Sequence, residues 1–194
     1  MPSGGSWLRC EYKHQMHMAL LDKMLDDRVW ERIAAAPSMG KGFEILRSYP
    51  TLGDFLAYQY ITDINYSTVT NFSEMEFVVP GPGAKNGIRK CFESLGGLTE
   101  SEIIRYVADQ QEFFFQRFGE SFQNLWGRRL QLIDCQNLFC EVDKYARVRH
   151  PEFSALTGRV RIKQIYRNPR PVLTPFYPPK WNLHPNERQE AGNA

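Results

Sequence analysis

Apolar residues recur along this chain with a helical period almost throughout. Between residues 8 and 36 they return every three or four positions, which is the spacing of one face of an α-helix. Pro37 ends that pattern, because proline lacks the backbone N–H that a helix interior needs. Comparable patterns predict further helices over residues 42–47, 51–60, 88–95, 99–118 and 122–133.

Capping residues predict where several of these helices begin. Thr99 and Glu102 form a capping box, in which each side chain bonds the backbone N–H of the other residue. Thr51, with Asp54 three residues later, predicts a similar start for an earlier helix. Asp143 occupies a cap-like position before residues 144–148 and predicts the start of the last helix.

The C-terminal part of the chain has a different composition. Residues 159–166 alternate apolar with polar side chains, a pattern that fits a strand, a helix end or an extended arm. Six of the twelve prolines lie between residues 168 and 185, which predicts an extended segment. The sequence therefore predicts an all-α protein with a flexible leader (1–7), a single helical domain (8–167) and an extended Pro-rich tail (168–194).

Composition narrows the class of protein. The chain has 194 residues, 42% of them apolar, and no apolar run approaches the length of a membrane span. Residues 1–140 carry 14 basic and 17 acidic side chains, whereas residues 141–194 carry 10 and 5. The C-terminal quarter is thus either a polyanion-facing surface or a solvated basic tail. The four cysteines lack metal-ligand spacing, so we expect no metal site and reduced thiols in a cytoplasmic or nuclear protein.

The turn at residues 80–83, Pro-Gly-Pro-Gly, is the segment most suggestive of chemistry. An apolar stretch ending at Val79 precedes it and a helical pattern follows, which predicts two helices joined by a glycine turn. Backbone N–H groups exposed at a helix start suit a phosphate oxygen. This arrangement indicates a helix–hairpin–helix that grips a DNA backbone without reading its sequence.

Three segments together resemble the helix–hairpin–helix DNA glycosylases. They are the hairpin at residues 80–83 with Lys85 two positions after its second glycine, the segment 142–148 (VDKYARV), and the segment 55–64 (FLAYQYITDI). The resemblance implies a glycosylase-like helical fold. It also implies a catalytic aspartate at Asp143 and, in members that are also lyases, a catalytic lysine at Lys85.

The amino-acid sequences of these three segments are more similar still to a divergent branch of that superfamily. They resemble the helical domains of 5-hydroxymethyluracil DNA kinases and the related alpha-glutamyl/putrescinyl thymine pyrophosphorylases. This resemblance implies double-stranded DNA containing a modified pyrimidine as the ligand, and a DNA kinase or transferase as a partner. It implies no cofactor, with a monovalent cation at the hairpin as an open option.

Each candidate catalytic residue also has an ordinary structural interpretation. Asp143 could activate water or stabilise the sugar cation that forms as a base leaves, or it could simply cap a helix. Lys85 could attack the sugar carbon as an amine, or it could contact a phosphate. The sequence leaves both alternatives open.

Further residues complete the predicted site. Gln59 and Asn65 could enter the duplex or read a flipped base, or they could bridge helices. The predicted DNA contacts are Gly81, Gly83, Ala84, Lys85, Gln59, Asn65, Lys144 and Arg147, and the predicted base pocket is formed by Tyr58, Tyr66, Trp126 and Tyr145.

The expected function is therefore DNA base processing. The chain would bind duplex DNA, extrude a modified pyrimidine nucleotide and cleave its N-glycosidic bond. Two alternatives remain: a non-catalytic module that binds modified DNA, and a group transferase on 5-hydroxymethyluracil in DNA that works with a kinase or transferase. We expect a protein of the bacterial or phage-infected cytoplasm, or of the nucleus in a eukaryote, without membrane attachment.

Overall fold

The chain divides into two compact units, residues 1–79 and residues 80–194. The structure is a computed structural model, and it describes residues 10–121, 127–150, 152 and 176–183. The predicted boundaries after residues 7 and 167 lie outside the described residues, as does the alternating segment 159–166.

Both units are built from helices, and the described residues contain no β-strand. Unit 1 contains α1 (Lys13–Asp26), α2 (Val29–Ala34), α3 (Met39–Arg47) and α4 (Asp54–Asn65). Unit 2 contains α5 (Pro82–Cys91), α6 (Glu100–Asp109), α7 (Gln111–Arg117), α8 (Leu132–Arg149) and a short 3-10 helix at Pro179–Trp181. The predicted all-α class is confirmed for the described residues.

Several helix boundaries differ from the periodic patterns. The capping box is confirmed, since the Thr99 and Glu102 side chains each accept a hydrogen bond from the other residue's backbone N–H. However, α4 begins at Asp54 with Gly53 as its cap, so the start predicted at Thr51 is wrong. Thr51 instead lies in a turn with a left-handed φ of 68°.

In unit 1, α3 and α4 pack through a small residue. A Cβ atom added at Gly42 of α3 would lie 2.6 Å from the Cδ1 atom of Ile61 on α4, so a larger residue here requires the end of the Ile61 side chain to move. Leu46 and Ala57 are buried in the same pair of helices. The contact between α3 and α4 is consequently apolar.

In unit 2, α5 packs most extensively on α8, and α6 adds a further contact to α8. Gly83 lies against Cys140, and a Cβ atom added at Gly87 would lie 2.0 Å from the carbonyl oxygen of Phe139. The two glycines are four residues apart and therefore occupy one face of α5. They bring the backbones of α5 and α8 into close contact.

Two structural expectations about the candidate site are wrong. Residues 66–81 contain no helix, so the glycine turn joins an irregular segment to α5 rather than one helix to another. Asp143 lies in the interior of α8, which begins at Leu132 after the cap residue Gln131. The backbone around Asp143 is already helical, so its side chain caps nothing.

Candidate nucleic-acid interface

The glycine turn directs its backbone groups toward α8. Gly81 is the cap residue of α5, and its N–H donates to the Oε1 atom of the buried Gln136 at 3.4 Å. The N–H of Ala84 hydrogen-bonds the sulfur of Cys140, whose pKa is nevertheless raised by burial. Two of the backbone amides predicted to hold a phosphate, those of Gly81 and Ala84, are therefore engaged within unit 2.

The remaining surface of α5 is cationic. Its ten residues include Lys85, Arg89 and Lys90 and no acidic side chain. Arg89 pairs with Glu100 at 3.1 Å. The pKa of Glu100 is held below its usual range. The main cause is a hydrogen bond that its carboxylate accepts from the Glu100 backbone N–H, and the charges of Arg89 and Lys85 add to it.

Lys85 is the cation of α5 that remains available to a ligand. It is exposed, and no described residue forms a hydrogen bond or an ion pair with its ammonium group. Its position on the first turn of α5 places it next to the glycine turn. An exposed, unpaired ammonium group is suited to a phosphate contact.

Asp143 is the centre of a buried ion cluster. Its Oδ1 atom lies 2.7 Å from the Nζ atom of Lys90, and its Oδ2 atom lies 3.3 Å from the Nε atom of Arg147. The exposed side-chain fraction is 3% for Asp143, 11% for Lys90 and 12% for Arg147. The carboxylate therefore joins α5 to α8.

The cluster and the glycine turn lie at opposite ends of α5. Lys90, which contacts Asp143, follows Pro82 by eight residues, or about 12 Å along the helix axis. The structure thus brings Gly81, Gly83, Ala84 and Lys85 together at one end of α5. It places Asp143 and Arg147 at the other end.

The other predicted residues of α8 lie on its surface. Lys144 pairs with Glu141 at 2.5 Å. Tyr145 is exposed, and its ring contacts that of His150 at a centroid distance of 6.0 Å. Trp126 lies outside the described residues.

The predicted residues of unit 1 support its own fold. Asn65 is fully buried; its amide accepts from the Thr70 hydroxyl and the Phe72 N–H and donates to the Phe72 carbonyl. Tyr58 is buried with its ring edge-to-face against Phe77. Tyr66 follows the last residue of α4 and is half-buried.

Gln59 differs from these neighbours on α4. Its Nε2 atom is buried and has no hydrogen-bond partner among the described residues. A buried amide without a partner costs free energy unless something satisfies it.

Two residues of the α5–α8 contact escaped the sequence analysis. Lys90 could have been found from the run of cations at positions 85, 89 and 90, which predicts a basic helix face. Gln136 has no sequence signal, because a polar residue in a helical pattern is ordinarily exposed.

Unit 2 also contains an apolar cavity of about 390 Å³, which no sequence pattern predicted. Residues of α5, α6, α7 and α8 line it, among them Phe114, Phe118, Leu138 and Val142. Burial and the charge of Asp134 raise the pKa of the Cys135 thiol in its wall to about 12. This thiol is therefore protonated and unreactive at neutral pH.

The described residues contain neither a cluster of metal ligands nor a membrane-spanning helix. No group of three or more metal-ligating side chains is present there. None of the helices in that part of the chain combines the length and apolar character needed to span a bilayer.

Comparison with known proteins identifies the family. The helical domain of 5-hmdU DNA kinases matches residues 2–155, more than half of the chain. A 5-hmdU DNA kinase of Bacillus phage SP10 is 28% identical over 117 residues, which is 56% of this chain and 18% of that kinase. No solved structure matches. The chain therefore belongs to the family of 5-hmdU DNA kinase helical domains.

Proposed function

We propose that this chain is a non-catalytic module that binds DNA containing 5-hydroxymethyldeoxyuridine (5-hmdU) and works with a kinase that acts on that DNA. The family supports the link to modified DNA, and the phage relative carries the kinase in its name. The matched region is 18% of that relative, so this chain corresponds to a small part of it. The kinase chemistry is assigned to the partner.

The observation that carries the proposal is the state of Asp143. Glycosidic cleavage needs a carboxylate that can approach water or the sugar. The Asp143 side chain is 3% exposed, and Lys90 and Arg147 each contact one of its oxygens, so the carboxylate is shielded from water. This arrangement favours binding over cleavage as the role of unit 2.

The DNA contact is assigned to the exposed cations of α5. Lys85 and Arg89 are one helical turn apart and therefore project from the same face. Lys85 is unpaired among described residues, and Arg89 is paired only at the surface with Glu100. A phosphate can replace that surface ion pair at low cost, because such pairs contribute little.

Fluorescence anisotropy with labelled duplexes tests the binding. We expect the chain to bind a duplex with 5-hmdU more tightly than the same duplex with thymine. Lys85→Ala should weaken both complexes and lower the slope of log K against log salt by about one. The matched control is Lys13→Ala, an exposed lysine at the first position of α1 whose loss should leave the affinity unchanged.

The same duplexes separate binding from cleavage. After incubation with the wild-type chain, alkali treatment should produce no strand breaks, because no abasic site has formed. Breaks at the modified position would establish glycosylase activity and overturn the non-catalytic assignment. Equal affinities for the 5-hmdU and thymine duplexes would overturn the assignment of modified DNA as the ligand.

A further inference from the structure

Glu100 is the one carboxylate that contacts the exposed cations of α5. It is the first residue of α6, which packs against α5, and its Oε1 atom lies 3.1 Å from the Nη2 atom of Arg89. Its side chain is 19% exposed, whereas that of Arg89 is 51% exposed. The ion pair therefore lies at the edge of the α5–α6 contact, and the carboxylate is its more buried partner.

The cap of α6 leaves Glu100 available for this contact, because Thr99 and Glu102 form that cap. The Glu102 carboxylate accepts both the backbone N–H and the hydroxyl of Thr99 at 2.7 Å. The hydrogen bond from its own backbone N–H, together with the charges of Arg89 and Lys85, lowers the pKa of Glu100. Glu100 is therefore ionised at neutral pH, within reach of the charges of two α5 cations.

The groups around the Glu100 carboxylate are those that bind a phosphate. A guanidinium group, an ammonium group and a backbone N–H in the first turn of a helix all attract an anion. Lys85 and Arg89 are one turn apart on α5, and the charges of both act on Glu100. A DNA phosphate that contacts Arg89 must therefore displace this carboxylate or lie beside its negative charge.

We propose that Glu100 is an internal competitor of DNA, whose carboxylate occupies the position on Arg89 that a backbone phosphate takes in the complex. This inference rests on the proposed function, because it concerns the same cations of α5. The exchange is feasible because an exposed ion pair contributes little. The displaced carboxylate nevertheless stays beside the phosphate, and this like charge lowers the affinity. Glu100 thus sets the affinity below the value that the cations alone would give.

Glu100→Gln tests this proposal in the fluorescence anisotropy assay at one fixed salt concentration. Glutamine keeps the size of the side chain and removes its charge, so the duplex should bind about fivefold more tightly. A misfolded variant would lose affinity, so a gain cannot come from misfolding. The matched control is Glu120→Gln, an exposed glutamate beyond the end of α7 that changes the net charge equally. It should change the affinity by no more than about twofold, because salt screens distant charges.

A double-variant cycle tests whether Glu100 acts through Arg89. In an Arg89→Ala background the carboxylate has no guanidinium group to occupy, so Glu100→Gln should strengthen binding by about twofold or less. In the wild-type background the gain should be the same for the 5-hmdU and thymine duplexes, because both carry the same phosphate backbone. The gain therefore does not depend on whether the chain prefers 5-hmdU.

Two results would overturn the proposal. They are a gain from Glu100→Gln no larger than that from Glu120→Gln, and a gain of full size that persists in the Arg89→Ala background. Either result leaves the DNA-binding proposal intact, because the wild type still binds. A wild type that binds neither duplex would instead overturn the proposed function, and this inference with it.

Discussion

Units 1 and 2 each contain a pair of helices that meet at a glycine, and the two contacts differ in what the glycine faces. Gly42 of α3 faces the end of the Ile61 side chain, whereas Gly87 of α5 faces the backbone carbonyl of Phe139. A side-chain end can change rotamer, but a helical carbonyl can move only with its helix. The contact in unit 2 is therefore the more rigid one.

The polar content of the two contacts differs as well. The α3–α4 pair buries apolar groups such as Leu46 and Ile61, while the α5–α8 pair also encloses Asp143, Lys90 and Arg147. Burying ions costs solvation free energy that only a well-formed cluster offsets. Such a cluster fixes the register of α5 on α8. Substitutions in both helix pairs test the difference between the α3–α4 and α5–α8 contacts.

The largest expected effect is that of Gly87→Ala. Its Cβ atom would lie 2.0 Å from the Phe139 carbonyl oxygen, so α5 and α8 must separate. We expect a loss of about 4 kcal/mol in the free energy of unfolding. Gly42→Ala should cost only about 1 kcal/mol, because Ile61 can rotate away. Urea denaturation followed by circular dichroism measures both.

A third glycine supplies the control for this comparison. Gly53 has a φ of −81° and no atom within 4 Å of an added Cβ, so Gly53→Ala causes no clash and should cost at most about 1 kcal/mol, through the poorer cap that alanine gives α4. Equal losses for Gly87→Ala and Gly42→Ala would refute the difference in rigidity between the two contacts.

The second effect concerns the ion cluster. Asp143→Asn leaves Lys90 and Arg147 buried without an anion, and we expect it to cost about 3 kcal/mol of stability. Adding Lys90→Met should recover part of this loss, because one of the two uncompensated charges is removed. Thermal unfolding of the single and double variants measures the recovery. A double variant less stable than Asp143→Asn would contradict the cluster's role.

The smallest effect lies outside both contacts. Thr99→Ala removes the hydroxyl that accepts the Glu102 N–H at the start of α6, at a cost of about 1 kcal/mol. Thr99→Ser keeps the acceptor and should restore most of the stability. Hydrogen exchange should localise the loss of protection to α6, whereas Gly87→Ala should affect α5 and α8 together.

Local rules predicted a large part of the fold. The helical period located most of the helices because one face of each is buried, although residues 127–131 of the predicted helix 122–133 are not helical. The Thr99–Glu102 box placed the start of α6 because capping depends only on near neighbours. The same rules failed at Thr51 and Asp143. Thr51 and Asp143 are residue types that often cap helices. Their neighbours in sequence do not reveal that one lies in a turn and the other in an ion cluster.

The candidate site shows the same limit. The resemblance identified the family, and its motifs drew attention to Gly81, Lys85 and Asp143. It could not show that the Gly81 N–H faces Gln136 rather than solvent, or that Asp143 is neutralised by Lys90. These pairs are separated by 55 and 53 positions in the chain, and no local pattern relates them.

The sequence by itself determined the helical class, the cap of α6 and the family of this protein, because these follow from periodicity, neighbouring side chains and matched motifs. Only the tertiary structure decided which side of each helix is covered. Because of this packing, the glycine turn faces α8, Asp143 is enclosed among cations, and Leu138 and Tyr145 are exposed. Burial depends on which helices meet, and that is a property of the whole packed chain.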